Sequence, residues 1–363
     1  MKKINLLAVA LAAFTMFSCS NEEIADLGSN APGEKATLTI KVEGEGNNVA
    51  QSRAIGAATT DVTINNYIVF LFREGGALDC PPFYSSSNAA ATITNGSTAA
   101  KTAYVVANTG RLANSPFANV TTEAELKAVA GDLMASNNTA SQTKDNLWMS
   151  GTNSVVFSGT NGSVTVPLSF VAAKIELIVK DNRSNLAGGG GITIVDEKVV
   201  LLYAGKSGKF FGTTDEKVVQ TAFYSGDTSY PGFSSNIVTT STALADAVSG
   251  AFAPNAAGAT FNHFYTFGNN GATQPTILAI QSKRTINGSA ETIYYPIQFS
   301  TGDAGYTIEP GKRYIVTLTL RGDVNAGEGG GTTDPEQPLV NSPIRITVTA
   351  ASWSPVTVNK TFN

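Results

Sequence analysis

Residues 36–43 read Ala36-Thr37-Leu38-Thr39-Ile40-Lys41-Val42-Glu43, apolar and polar side chains in strict alternation. A period of two over eight residues is the pattern of a strand with one face for a core and one for water. Further along, Tyr67-Ile68-Val69-Phe70-Leu71-Phe72 is apolar on both faces, which suits a strand covered on both sides. Shorter β-type runs follow at Tyr104 to Asn108, Val164 to Leu168, Ala173 to Val179, Val199 to Tyr203, Phe264 to Phe267, Ile277 to Gln281, Thr292 to Phe299 and Tyr314 to Leu320. The chain closes with Ile344-Arg345-Ile346-Thr347-Val348-Thr349 and then Val356 to Phe362, where Val356, Val358, Lys360 and Phe362 share one face. Pro355 between these pieces cannot donate to a ladder, which predicts a kink. A single helix is predicted, with Thr121 or Thr122 as N-cap and Glu123 and Glu125 in its first turn. The expectation is an all-β chain of β-sandwiches with a boundary near Leu168.

Length and charge narrow the function. A chain of 363 residues suggests two domains, and 24 Lys plus Arg against 28 Asp plus Glu leaves no basic footprint for nucleic acid. His263 is the only histidine, which removes most metal and triad chemistry; beside Phe264-Tyr265 it reads as a packed or rim residue. Gly205-Lys206-Ser207 ends like a phosphate loop, but Val200 stands where that motif needs glycine and no helix is expected after it. A hairpin turn is expected there, and a flexible loop at Gly188 to Gly191. Asp79, Asp132 and Asp215 show no paired spacing for acid–base work. No catalytic residue, metal or cofactor is implied. Arg321-Gly322-Asp323 is the tripeptide that integrins read, yet Gly-Asp is also an ordinary turn. Gly327 to Pro338, rich in Gly, Thr, Pro and acid, is read as a mobile surface loop.

The start of the chain carries an address. Lys2 and Lys3 precede the apolar stretch Leu6 to Phe17, so residues 1–18 read as an export signal. Met16-Phe17-Ser18-Cys19 resembles a lipobox, in which the cysteine becomes lipidated after cleavage before it. Lipid on Cys19 would hold the precursor at the outer membrane, each buried CH₂ contributing about 0.8 kcal/mol. Ser20 to Gly33, with Pro32 and little apolar periodicity, reads as a leash that begins acidic at Glu22-Glu23. Cys80 then has no disulfide partner and reads as a small residue at a strand end.

The lipobox at Cys19, the strand Ala36 to Val42, Arg53, Ala103-Tyr104-Val105-Val106-Ala107-Asn108, Trp148-Met149-Ser150-Gly151, Phe170-Val171-Ala172-Ala173-Lys174-Ile175-Glu176-Leu177, Pro310-Gly311-Lys312-Arg313-Tyr314 and the terminal strand with Trp353 occur in this order. In that order the chain resembles the Bacteroidales fimbrillins, the FimA-like and Mfa-like subunits of type V pili. Ala172 departs from the bulky or basic residue common there.

The resemblance implies two transthyretin-like β-sandwich domains, 54–167 and 168–363, behind a signal peptide at 1–18 and a leader at 19–53. It implies an Arg-specific protease cutting after Arg53, so that Ala54 becomes the first residue. The strand carrying Ala36, Leu38, Ile40 and Val42 would leave with the leader. A strand from another copy or a related subunit, carrying Ile344, Ile346, Val348, Val356, Val358 and Phe362, would fill the groove left behind. The expectation is a shaft subunit of a cell-surface fimbrium that supports adhesion. The alternatives are a fimbrial tip or accessory adhesin, or a surface glycan-binding lipoprotein using Tyr224, Tyr230 or Phe233.

Overall fold

Strand β1 (Lys35–Gly44) holds the alternating stretch, and burial follows the alternation: Ala36, Leu38 and Ile40 are buried, Val42 half-buried and Lys41 exposed. The computed structural model describes residues 33–44, 63–134, 146–182, 192–227, 230–233, 237–240, 244–248, 260–272, 274–300, 307–321, 331–337, 345–348 and 355–362. Among these, strands dominate and helices are short.

The first half continues with β2 (Tyr67–Arg73), β3 (Phe83–Ser85), β4 (Ala91–Ser97), β5 (Ala100–Ala107), β6 (Ala130–Asp132), β7 (Met149–Ser154), β8 (Val156–Ser158) and β9 (Asn161–Phe170). They form a sheet in the order β3-β2-β5-β7-β9-β1-β4, with β8 added on β9 and β6 elsewhere. Tyr67 to Phe72 are all at most 1% exposed, as a strand apolar on both faces requires. In β9, Gly162, Val164, Val166, Leu168 and Phe170 face inward while their neighbours are exposed or half-buried. Helix α1 (Glu123–Ala128) starts where its sequence directs. The Thr122 hydroxyl accepts from Glu125 N–H and the Glu125 carboxylate accepts from Thr122 N–H, a reciprocal cap.

The second half supplies β10 (Ala173–Asn182), β11 (Ile192–Leu202), β12 (Ala204–Lys209), α2 (Thr214–Lys217), β13 (Val218–Ser225), β14 (Ile237–Thr240), β15 (Ala245–Ala247) and β16 (Thr260–Thr266). It ends with β17 (Thr276–Ile286), β18 (Ser289–Phe299), β19 (Arg313–Arg321), β20 (Arg345–Val348) and β21 (Pro355–Phe362). Three sheets result, ordered β16-β10-β19-β21-β20, β15-β11-β17-β18 and β14-β13-β12-β6.

The halves are locked together. β6 comes from the first half but pairs with β12, Ser207 opposite Asp132. A Cβ on Gly131 would lie 2.0 Å from the Trp148 ring, so only glycine fits that crossing. Phe210 and Phe211, just after β12, reach back to rings of the first half: Phe210 lies 4.8 Å from Phe117 and 5.1 Å from Trp148, and Phe211 lies 5.0 Å from Tyr104. One apolar cluster therefore draws on both halves.

Three expectations change. Gly205-Lys206-Ser207 is not a turn but part of β12, and Lys206 Nζ sits 2.6 Å from Asp132 Oδ2. A second helix, α2, follows Thr213, whose reciprocal cap with Glu216 repeats the pattern of α1. Part of the Gly327 to Pro338 segment is docked. Gly188 to Gly191, Gly322 and Asp323 lie outside the described residues.

Candidate assembly site

β1 is an interior strand with unlike neighbours. It runs parallel to β9, Thr37 opposite Asn161 through Gly44 opposite Leu168, and antiparallel to β4, Ile40 opposite Ala91. Leu38 is keyed between two glycines, one on each flanking strand. A Cβ on Gly96 of β4 would lie 2.7 Å from Leu38 Cδ1, and one on Gly162 of β9 would lie 3.1 Å from Leu38 Cγ. Glycines at these positions leave room for one large apolar side chain. Without β1, a slot remains with an apolar floor and two rows of backbone N–H and C=O groups, a template for another strand.

The far wall of that slot is braced. The Asp79 carboxylate, on the segment after β2, accepts from Ser97 N–H at 2.6 Å, the Ser97 hydroxyl at 2.5 Å and Arg73 Nε at 2.8 Å, tying the end of β4 to β2. Cys80 beside it is buried; burial first, and then Asp79, push its thiol up to about 11 against the pull of Arg73. Its thiolate is scarce at neutral pH, so it is a packing residue.

β21 sits in a similar place at the other end of the chain. It runs parallel to β19, Arg313 opposite Pro355 through Leu320 opposite Phe362, and antiparallel to β20, Ile346 opposite Val358. Among the residues expected at the site, Ala36, Leu38, Ile40 and Val42 gather on β1, Ile346 and Val348 on β20, and Val356, Val358 and Phe362 on β21. Cys19, Arg53, Ala54 and Ile344 lie outside the described residues.

β19 is fixed to β10 by a parallel ladder and a buried ion cluster. Glu176 accepts from Arg313 Nη2 at 2.5 Å and Arg313 Nε at 2.9 Å, while Lys174 Nζ lies 3.0 Å from its other oxygen. All three are at most 7% exposed. A buried pair of this kind is costly to break by removing one partner, because the other charge is then left buried and unpaired. Lys174, Glu176 and Arg313 belong to the two sequence runs quoted above, yet their spacing alone gave no sign that 137 residues of separation close into an ion pair. His263 is exposed at the sheet edge, 5.3 Å edge-on to Tyr265.

A strap lies across the sheet of β11, β17 and β18. Thr332 and Tyr294 of β18 exchange both backbone bonds, at 2.7 and 2.9 Å. The Tyr230 hydroxyl donates to Asp334 at 2.6 Å, the Tyr203 hydroxyl donates to Glu336, and Gln298 Nε2 donates to the Glu336 carbonyl at 2.6 Å. Gly331 and Pro335 are buried, and a Cβ on Gly331 would lie 2.9 Å from Ile293. The strap was legible only as polar, proline-bearing chain; its tyrosine partners are distant in sequence.

The aromatics considered for sugar binding are engaged. Tyr224 is 6% exposed and donates to Asp132 at 2.7 Å. Burial and that carboxylate raise its hydroxyl pKa. Burial opposes the ionised Asp132, yet Lys206, the Met134 N–H and Tyr224 together hold it below the usual carboxylate range. Tyr230 packs edge-on against Phe233 at 5.0 Å, and Phe233 against Tyr203 at 5.9 Å. Among the described residues, no group of three or more His, Cys, Asp or Glu could hold a metal, and no helix is long and apolar enough to cross a membrane.

A fold with an interior, flanked β1 and a paired C-terminal strand defines a class when set beside known proteins. The family model described as major fimbrial subunit protein (FimA) matches residues 36–233. That described as FimA-like major fimbrial subunit protein, C-terminal domain, matches residues 172–353. The chain belongs to the FimA-like major fimbrial subunit family, a family of structural fimbrial proteins of the cell surface. It is 60% identical to a candidate cell adhesion protein from Bacteroides eggerthii, whose crystal structure superposes with a TM-score of 0.80 over 93% of this chain and 100% of that one. It shares its fold with a fimbrilin (FimA) from Porphyromonas gingivalis at 18% identity, TM-score 0.63, over 92% and 98% of the two chains. A candidate cell adhesion protein from Parabacteroides distasonis shares it at 16% identity, TM-score 0.58, over 85% and 91%. No curated protein matches the chain in sequence.

Proposed function

We propose that this chain is a fimbrial shaft subunit that is exported as a lipoprotein on Cys19, cleaved after Arg53 by an Arg-specific protease, and polymerised by strand exchange. Cleavage leaves Ala54 as the first residue and releases β1, and the terminal segment Ile344 to Phe362 of another copy or a related subunit supplies the strand that enters the slot. The subunit has two transthyretin-like β-sandwich domains divided near Leu168, and the filament supports adhesion. The interface is heterologous, head to tail, and so builds filaments rather than closed rings.

The observation that carries this reading is the matched surroundings of β1 and β21. Each has a parallel ladder of eight residue pairs on one side and an antiparallel partner on the other. Laid on the slot in the same order, Pro355 takes the place of Thr37, Val356 of Leu38, Val358 of Ile40 and Lys360 of Val42. Lysine thus falls at the position where burial is weakest. Pro355 forfeits one bond, the 3.0 Å contact that Thr37 N–H makes with the Thr160 carbonyl at the slot's mouth.

Arg53→Ala tests the processing step. We expect a full-length, membrane-held protein without filaments, while the unaltered chain yields subunits whose N-terminal residue is Ala54. Normal filaments from Arg53→Ala would sink the reading.

A further inference from the structure

The strap Gly331–Gln337 lies in the chain between β19 and the two terminal strands, so a departing β21 stays joined to the sheet of β19 through it. We propose that the strap stays docked and is the fixed root from which the donor segment departs. This rests on the strand-exchange reading above.

The contacts of β21 can be replaced elsewhere, and those of the strap cannot. What is described for β21 is ladder: eight pairs with β19 and four with β20. A slot flanked by β9 and β4 offers a ladder of the same form, so exchange returns what departure gives up. The strap's contacts are of another kind. Asp334 and Glu336 receive bonds from Tyr230 and Tyr203, the Glu336 carbonyl receives one from Gln298, and Thr332 pairs with Tyr294. Asp334 also shapes the strap itself, accepting from Glu336 N–H at 2.9 Å. Tyr203 and Tyr294 are at most 2% exposed and belong to the small second core of Val200, Leu202, Phe223, Ile277 and Ala279. Lifting the strap would strip the Tyr203 and Tyr230 hydroxyls of their carboxylate partners and free the Tyr294 backbone edge, and a strand ladder in the β1 slot replaces none of these side-chain bonds.

Two spin-label pairs on the full chain separate the possibilities. Thr333→Cys with Thr292→Cys joins the exposed strap to exposed β18, and Thr319→Cys with Thr361→Cys spans the β19–β21 ladder. Distances are read by pulsed electron resonance before assembly and in filaments diluted with unlabelled subunits. We expect the β19–β21 pair to separate on assembly while the strap pair keeps its distance. Separation of both pairs overturns the fixed root and leaves strand exchange standing. Separation of neither overturns strand exchange, and this inference with it.

Discussion

β1 and β21 lie in backbone surroundings of the same form, yet their sequences differ where burial is decided. β1 places Leu38, Ile40 and Val42 in one row, and Leu38 fills the gap left by Gly96 and Gly162. β21 offers Val356, Val358 and Lys360 at the same steps. At these three steps the chain's own strand has more apolar surface, by one methylene at the glycine gap, one at Ile40 and a whole apolar side chain at Val42, while Phe362 falls at the step of Gly44, where β1 has no side chain. It also competes from within the same molecule, at high local concentration. The difference bears on the proposed order of events: exchange as proposed needs the cut, because an uncut β1 stays covalently held beside the slot.

The comparison can be broken most directly by deleting Val356 to Phe362. We expect folded monomers by circular dichroism and no filaments by electron microscopy, because the slot then has no donor. Undiminished polymer would mean that another segment fills it. Leu38→Ala comes next. It should cost the uncut chain about 2–5 kcal/mol in urea unfolding, the range for a buried leucine in a tight site. The same change should leave the dissociation temperature of filaments unaltered, since β1 is discarded; a matching loss in filaments would show that β1 is retained.

Two substitutions sharpen the comparison from the donor side. Val356→Leu restores the side chain for which the glycine gap is shaped, and should stabilise filaments by about 0.8 kcal/mol, one buried methylene. A heat-dissociation series on gels checks it, and a loss would place a different donor residue at that gap. Lys360→Val should help by roughly a few tenths of a kcal/mol, because Val42 is only half-buried and a lysine stem already covers apolar surface there. An effect larger than that of Val356→Leu would reverse the assigned order of insertion.

Much of the fold was legible along the chain. Alternation placed β1, continuous apolar character marked β2 as covered on both faces, and Thr122 with Glu125 announced α1. The same Thr-x-x-Glu spacing at Thr213 and Glu216 was there to be read for α2. Gly205-Lys206-Ser207 misled because two small residues around a lysine resemble a turn, whereas pairing with β6 and β13 holds them extended. The strap misled for the converse reason: a polar stretch with glycine and proline looks free until tyrosines from elsewhere bind it.

Local patterning sets which segments become strands, because side-chain period is a local property that backbone geometry converts directly into faces. The same alternation marks the apolar row of β1 and shows Lys360 interrupting that of β21. Long-range packing makes β1 an interior strand between β9 and β4, fits Leu38 between Gly96 and Gly162, closes Glu176 on Arg313, and brings Asp334 and Glu336 to Tyr230 and Tyr203. These are contacts between residues far apart in the chain, and strand order and non-local pairing are set by packing, which no local period encodes.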